Sequence, residues 1–443
     1  MLKTLVGAFK NKDIRKKVLY TLMILVVVRV GSLLPIPGVD TEYFSSLLSG
    51  INTGDLSYLS AFTGGSFERM SLFALSITPY ITSSIIMQLL AIAIPKLEEM
   101  QKEGEDGRKK IAAITRYVTI ALALIESIAM AVGFGRSGLI KGYQGFSTLH
   151  YIVSIIVVVA ALTAGSAMLM WLGERITENG VGNGISIVLL INIISGMPSD
   201  FATLYSTFVA PRTIAKGVLA AAIIIAILVA MVVLVCFLQD GERRIPVQYS
   251  QKVSGRKTFG GQSTNIPLKV NTAGVMPVIF ASSLMQFPVI IAQLFGKSYE
   301  WTRYLSSSYW CRISAPKYSI GLILYIVLLI IFAYFYTSIT FNPLEIANNM
   351  KKSGGFIPGI RPGKPTVDYL AKILRYIIFI GAIGLVIVQV IPFFFNGVLG
   401  AHVSFGGTSI IIIVGVVLET LKQIESQMLV RNYKGRSANV AAY

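Results

Sequence analysis

The chain has 443 residues, of which 54% are hydrophobic and only 14% are charged. A soluble domain carries about a quarter charged residues, so this chain has too few charges to cover a water-facing surface. The composition excludes a disordered protein, argues strongly against a soluble enzyme, and indicates an integral membrane protein. A formal net charge of +18 is typical of basic cytoplasmic loops, and it also suits an acidic or phosphate-rich partner.

Apolar stretches of about 20 residues are long enough to cross the hydrocarbon core of a bilayer as helices. The sequence predicts ten such spans, at 18–36, 71–93, 112–134, 150–172, 183–200, 213–238, 271–294, 318–340, 368–395 and 405–421.

Lys and Arg fall unevenly on the two sides of these spans. With the amino terminus inside, the predicted cytoplasmic segments hold 26 Lys and Arg residues and the outside segments hold 8. The positive-inside rule therefore predicts that both termini are cytoplasmic. Residues 1–17 form the amino-terminal segment in this topology, and residues 422–443 form the tail.

Ten spans divide into two sets of five, which we place at 18–200 and 201–421. Because each set has an odd number of spans, the second set must insert upside down relative to the first, as in an inverted repeat. The halves show no convincing sequence match, so the repeat is a structural hypothesis. The predicted fold is all-α, with ten transmembrane helices in two inverted five-helix halves.

One long segment, 37–70, lies on the predicted outer side and contains the partly apolar stretch GDLSYLSAFTGGSFERM. It is either an external loop with a surface helix or a short helix, roughly Leu56 to Ala61, folded back between the spans. Gly64 and Gly65 would be the hinge of such a helix, because glycine accepts the backbone angles that a moving joint needs.

Two long cytoplasmic loops, 239–270 and 341–367, are basic and rich in Gly and Pro. They could serve only as positive-inside signals. Long ordered loops are usually functional, however, and a topology signal needs only a few basic residues. We therefore expect these loops to bind an acidic or phosphate-rich partner.

Two charged residues, Arg29 and Glu126, lie well inside predicted spans. Charges deep in a bilayer mark ion or substrate paths by default. We expect these two side chains either to pair or to face a shared aqueous vestibule.

The sequence contains no catalytic or nucleotide-binding motif of the G-x-x-x-x-G-K-[ST], G-x-S-x-G or H-E-x-x-H type. Two cysteines, Cys236 and Cys311, and two histidines, His150 and His402, suggest no metal site and no cofactor. We expect a non-enzyme that takes its energy from a partner or a gradient. The open alternatives are a secondary solute transporter, an intramembrane enzyme and a scaffold without transport.

Several longer stretches are more specific than any of these patterns. They are FTGGSFERMSLFALSITPYITSSIIMQLL (62–90), GVGNGISI (180–187), QSTNIPLKVNTAGVMPVIFASS (262–283), GFIPGIRPGKPT (355–366) and FGGTSIIIIVG (405–415). In sequence and in order, the chain resembles the SecY family, the channel subunits of the bacterial protein-export translocon, over nearly its whole length.

The resemblance implies a clamshell of two halves around an hourglass pore, narrowed by a ring of aliphatic side chains and blocked by a plug helix. The front opens sideways into lipid, between spans 2 and 3 on one side and spans 7 and 8 on the other. Such a channel passes unfolded preproteins across the bacterial cytoplasmic membrane and releases transmembrane segments into lipid. The implied partners are SecE and SecG, the motor ATPase SecA, the ribosome with its RNA, preprotein signal sequences and membrane lipid.

Roles carry over to this chain only where the motifs align. The implied pore ring is Ile81, Ile85, Ile185, Leu189, Ile279 and Ile412, where Leu189 departs from the family's preference for Ile. The implied plug comprises Leu56, Ser57, Tyr58, Leu59, Ser60 and Ala61, with Gly64 and Gly65. The implied polar residues of the side opening are Thr82, Ser84, Gln88 and Asn271. The implied partner-binding residues are Arg243, Arg244, Arg256, Lys257 and Arg361.

Overall fold

Helices account for most of the fold. The computed structural model of the chain describes residues 11–42, 44, 46, 63–134, 148–210, 214–249, 252–254, 257–259, 263–294, 300–306, 309–311, 316–399 and 406–440. The helices are α1 (Lys12–Leu33), α2 (Thr78–Ala93), α3 (Pro95–Lys102), α4 (Glu105–Phe134), α5 (Thr148–Asn179), α6 (Gly184–Leu204), α7 (Ile214–Asp240), α8 (Met276–Leu294), α9 (Glu300–Leu305), α10 (Ile320–Thr340), α11 (Pro343–Lys352), α12 (Lys364–Leu399) and α13 (Gly407–Val440). Each of the ten predicted spans overlaps one of these helices.

Not every helix covers a full membrane thickness by itself. Among the described residues, seven helices are long and apolar enough to cross a membrane. The number is eight if α2 and the following helix Pro95–Gln101, which meet at a bend of 107°, count as one span. In α8 the apolar helical stretch is shorter, Met276–Met285.

The second predicted span, 71–93, is helical only from Thr78 onward. Residues 72–77 form turns instead, and Ser76 has a left-handed φ of 52° that an α-helix does not accommodate. The backbone before α2 pairs with the chain after α1: the Leu72 amide donates to the Leu34 carbonyl at 2.9 Å. Pro79 then occupies the first turn of α2, where its missing N–H costs nothing.

The seventh predicted span, 271–294, is likewise shortened at its start. Residues 270–275 form turns and α8 begins at Met276. Gly274 has a φ of 64°, which favours glycine, and the Asn271 side-chain amide caps this turn by donating to the Gly274 carbonyl at 3.0 Å. Periodicity alone missed both breaks because the residues in them are mostly apolar.

The helices pack in two groups. In the first group α2 packs on α4, α4 on α5, α5 on α6, and α1 on α5. In the second, α8 packs on α10, α10 on α12, and α7 and α12 on α13. The groups meet where α6 packs on α13, where α4 packs on α8, and where Leu204 at the end of α6 enters the apolar core of the second group. A π-helical turn, Tyr205–Val209, follows α6 where the chain leaves the first group.

Large apolar side chains cover much of the outer surface. Phe237, Val218 and Ile323 are 74%, 65% and 62% exposed. A water-soluble monomer rarely exposes apolar patches of this extent, whereas a lipid-facing surface requires them. The exposure pattern therefore agrees with a chain that spans a membrane several times.

The outer end of the second group is closed by aromatic side chains. Trp310, only 2% exposed, packs against Tyr325 and Phe393 with ring centroids 5.5 and 5.0 Å away. Its indole N–H donates to the Tyr304 carbonyl at 2.9 Å, which satisfies the one polar group of the ring. The described part of the loop 295–317 thus contributes to the core.

The two long loops 239–270 and 341–367 share a three-stranded sheet, and the first of them also forms a two-stranded sheet; neither was expected from the sequence. The strands are β1 (Glu242–Tyr249), β2 (Lys252–Ser254), β3 (Lys257–Phe259), β4 (Ser263–Lys269) and β5 (Gly355–Phe356). β1 pairs antiparallel with β4 of its own loop and with β5 of the other loop, in the order β4-β1-β5, while β2 pairs with β3. Alternate residues Ile245 and Val247 of β1 point into a core that includes Leu370 and Ile373 of α12. Both loops are therefore anchored to one helix.

We predict that Gly165→Ala lowers the thermal unfolding midpoint of the detergent-solubilised protein. A Cβ at Gly165 of α5 would collide with the Leu72 carbonyl oxygen in the turn before α2. Forcing extra atoms into a packed interior costs about 1–3 kcal/mol. Gly196→Ala in α6 is the control because a Cβ there meets nothing within 4 Å. An unchanged midpoint for Gly165→Ala would contradict the close packing of this turn on α5.

Candidate functional site

The helices of both groups surround a cavity of about 570 Å³. Its walls come from α2 and α6 of the first group and from α8, α10 and α13 of the second. All six residues of the implied ring line it: Ile81, Ile85, Ile185, Leu189, Ile279 and Ile412. Residues separated by more than 300 positions in sequence therefore lie around one space.

Helical spacing explains why these side chains face the same cavity. Ile81 and Ile85 are one turn apart on α2, and Ile185 and Leu189 are one turn apart on α6, so each pair shares a helix face. Asn183 starts α6 by accepting a hydrogen bond at its side-chain oxygen from the Ile185 amide at 3.2 Å.

One ring residue links the two groups of helices. Ile412 on α13 is 2% exposed and belongs to the same apolar cluster as Leu189, with Ile81 and Ile185 packed against it. Ile85 and Ile279 line the cavity outside this cluster. The apolar contact between α13 and the first group therefore closes part of the cavity wall with branched side chains that offer no hydrogen bonds.

The implied polar residues of the side opening lie near one another without joining its two edges. Ser84, Gln88 and Asn271 line the cavity. The Thr82 hydroxyl donates to the Thr78 carbonyl at 3.1 Å, and the Gln88 amide donates to the Ser84 hydroxyl at 3.4 Å, both within α2. In the described residues, none of the hydrogen bonds from these four side chains crosses between α2 and the turn before α8.

Of the implied plug, Leu56, Ser57, Tyr58, Leu59, Ser60 and Ala61 lie outside the described residues. Gly64 and Gly65 are described, with left-handed φ values of 62° and 78°. A Cβ at Gly64 would lie 2.5 Å from the Ser195 hydroxyl and 2.7 Å from the Asn192 carbonyl of α6. Glycine is therefore required at position 64 both by its backbone angle and by the close approach of α6.

Arg29 and Glu126 do not form the ion pair that the sequence analysis offered as one expectation. Among the described residues, the structure has no salt bridge between them, and Nη1 of Arg29 is buried without a hydrogen-bond partner. That nitrogen would lie 3.0 Å from a Cβ on Gly64, so Arg29 faces the glycines at the end of the implied plug. Arg29 is on α1, which packs on α5 and α6, whereas Glu126 is on α4. The two charged side chains therefore lie apart.

One rim of the cavity carries charged residues that the sequence did not indicate. Lys269, Glu419 and Lys422 line it, and Nζ of Lys422 lies 2.6 Å from Oδ1 of Asp240. This ion pair joins the end of α7 to the middle of α13 across 182 positions. No local pattern in the sequence signals a pair at that separation.

The implied partner-binding residues differ in how available their charges are. Arg243 and Arg361 are exposed. Arg244 is engaged locally, because its guanidinium lies 2.6 Å from the carboxylate of Glu242. A hydrogen bond fixes the turn that carries Arg361, because the buried Thr366 hydroxyl donates to the Arg361 carbonyl at 2.9 Å.

Two members of that set cannot be placed in the same way. Arg256 lies outside the described residues, and Lys257 begins the short strand β3.

Within the described part of the chain, no group of three or more His, Cys, Asp or Glu side chains could hold a metal ion.

We predict that exchanging the charges, Arg29→Glu with Glu126→Arg, does not restore what either single change removes. Two groups that are not paired have no mutual interaction for the exchange to recover, so the effects add. Export of a secreted reporter protein by cells that express each variant is the measurement. A double variant that is clearly better than both singles would show that the side chains do pair.

Comparisons with known proteins agree with this architecture. A model of the SecY family matches residues 71–421. The protein translocase subunit SecY of Streptomyces scabiei is 43% identical over 443 residues, covering 98% of this chain and 99% of the relative.

Two solved structures have the same fold at 18% identity. One is of a SecY protein whose plug domain stabilises the closed state of the translocation channel and maintains a membrane seal; its TM-score is 0.63, with 94% of this chain and 92% of that chain covered. The other is Sec61 in the canine ribosome–channel complex from the endoplasmic reticulum, with a TM-score of 0.57 and the same coverage. With the family model and the full-length relative, these similarities establish that the chain belongs to the SecY family.

Proposed function

We propose that the cavity between the two groups of helices is the path along which an unfolded preprotein crosses the membrane. The chain is a protein-conducting channel, as its family membership indicates, rather than a solute transporter. The observation that carries the assignment of the path is the convergence of all six ring residues on one cavity. A solute site would instead need several polar or charged side chains at the midplane.

The ring performs two tasks by the same physical means. Branched aliphatic side chains can press around an extended chain without competing for its backbone hydrogen bonds. A narrow apolar neck also loses its water, which blocks ions when no chain is present. In the structure this wall is closed by the packing of Ile412 against the first group.

The side opening lies where the two groups touch at the front. There α4 contacts α8, while the larger contact between the groups is that of α6 with α13 on another side. Moving an apolar signal sequence or transmembrane segment from the cavity into lipid lowers the free energy by about 25 cal/mol for each Å² of apolar surface removed from water. We propose that halves 18–200 and 201–421 separate at this seam to release such segments.

The sheet shared by the two cytoplasmic loops is the docking surface in this proposal. It presents Arg243 and Arg361, both exposed, on a frame anchored to α12. A solved Sec61 channel of the same fold is in a complex with the ribosome. We propose that the motor ATPase SecA and the ribosome bind here, that SecE and SecG complete the complex, and that both termini lie on the cytoplasmic side of the bacterial cytoplasmic membrane.

The path predicts a specific contact with the preprotein. A photo-crosslinking amino acid at Ile279, which lines the cavity, should react with a preprotein stalled in membranes that contain the full complex, SecA and ATP. The same amino acid at Leu284, which lies on α8 and is 52% exposed, is the matched control and should react mainly with lipid. Deleting the signal sequence should abolish the crosslink at Ile279. A crosslink at Leu284 but not at Ile279 would exclude the cavity as the path.

The docking surface predicts a separable defect. Arg361→Glu should leave the protein inserted but weaken partner binding by about tenfold, since losing one charge-assisted contact and adding a repulsive charge removes at least the free energy of a tenfold change. Arg244→Glu, at a position already engaged with Glu242, should have a smaller effect. Sedimentation of SecA and of ribosomes with membrane vesicles measures both. Unchanged binding of both partners by the Arg361 variant would refute the assignment of this loop.

A further inference from the structure

Two buried amide side chains lie next to the ring without being part of it. Gln389 of α12 is 1% exposed, and its Nε2 donates to the hydroxyl of Thr408 at 2.6 Å. Asn192 of α6 is 2% exposed, and its Nδ2 donates to the hydroxyl of Ser76 at 3.1 Å. Thr408 lies at the start of α13 and Ser76 lies just before α2, so each hydroxyl is at the start of a helix that carries a ring residue.

The first bond fixes the start of α13. Thr408 is the second residue of that helix and is fully buried. Ile412 follows one turn later on the same face. The two helices also approach closely here, because a Cβ on Gly407 would lie 2.8 Å from the Cα of Gln389. The bond therefore ties the position of Ile412 along the channel axis to α12.

The second bond fixes the start of α2. Ser76 has a left-handed φ of 52° and lies two residues before the helix begins at Thr78. Its backbone carbonyl also accepts a hydrogen bond from the Ser166 hydroxyl of α5 at 3.4 Å. Asn192 lies one turn beyond Leu189 on α6, so this bond ties the turn that positions Ile81 to a helix that carries another ring residue.

Neither amide is fully satisfied where it lies. Oδ1 of Asn192 and Oε1 of Gln389 are buried and accept no hydrogen bond from the residues that the structure describes. A buried polar group with an unmade hydrogen bond destabilises a fold relative to an apolar side chain of the same shape. Core stability alone therefore does not account for an amide at these positions, whereas a directional bond that fixes one helix relative to another does.

We propose that Gln389 and Asn192 are positioning residues that act as clamps: each holds the first turn of a ring-bearing helix so that Ile412 and Ile81 meet at the same height in the closed channel. The inference rests on the proposed function of the ring as the seal of the idle channel. Loss of either clamp lets its helix shift along its axis, and the ring then leaks ions.

The test measures ion leak through the idle complex, reconstituted in liposomes and reported by an enclosed potassium-sensitive dye. Gln389→Leu and Asn192→Leu should each raise the leak about fivefold, the shift in a two-state balance that corresponds to the net free energy of one hydrogen bond. Thr408→Val should leak as much as Gln389→Leu, because each change removes the same hydrogen bond. The double variant Gln389→Leu with Thr408→Val should leak no more than either single variant. Thr408→Ser, which keeps the hydroxyl, should remain as tight as the unaltered protein.

A matched control separates clamping from general loosening. Thr163→Val removes a hydroxyl–hydroxyl bond of 3.1 Å between α5 and the fully buried Ser127 of α4, neither of which carries a ring residue. It should lower the unfolding midpoint without raising the leak. If Thr163→Val leaks as much as the amide variants, the clamp is overturned.

A ring variant distinguishes failure of the clamp from failure of the proposed function. Ile412→Ser should leak strongly if the ring is the seal. If Ile412→Ser leaks but Gln389→Leu, Asn192→Leu and Thr408→Val are all tight, the clamp is overturned while the ring stands. If Ile412→Ser is itself tight, the ring is not the seal and both ideas fail together.

Discussion

In the proposed function, the closed channel depends on the apolar contact of Ile412 on α13 with the helices of the first group. The groups also meet through α4 and α8, and through Leu204 at the end of α6, which packs in the apolar core of the second group. Such a contact owes its strength to the hydrophobic effect, which is non-directional. It can therefore close the cavity and still let the groups separate when an apolar chain replaces the lost contacts.

The positions of the helices relative to one another must be fixed by directional contacts, namely hydrogen bonds and turns of defined backbone conformation. The turn before α2 is fixed by left-handed Ser76 and by backbone pairing with the end of α1, and the turn before α8 is fixed by Gly274 and Asn271. These breaks shorten two helices that would otherwise cross the whole membrane. The second break also places Asn271, Thr272 and Gly274 at the cavity, a setting in which irregular backbone is tolerated at membrane depth.

In the two long loops, 239–270 and 341–367, apolar residues likewise anchor the chain while basic residues stay exposed. Ile245, Val247 and Leu370 hold the shared sheet against the extension of α12, while Arg243 and Arg361 stay exposed. Because the loops share one sheet, a partner that docked on one of them, as proposed, would act on both. Since α12 also contacts α7, α10 and α13, such binding would be mechanically connected to the helices of the second group.

Composition, apolar stretches and the distribution of Lys and Arg predicted the membrane class and ten spans, because hydrophobicity and charge act residue by residue along the chain. Longer motifs indicated the family and the ring residues, whose i, i+4 spacing already placed Ile81 with Ile85 and Ile185 with Leu189. Other features came only from the structure: the shared sheet, the missing pair of Arg29 and Glu126, the Lys422–Asp240 ion pair and the contact of Gln389 with Thr408. Each of these depends on how segments distant in the sequence are placed against one another, and no local periodicity or charge count contains that information.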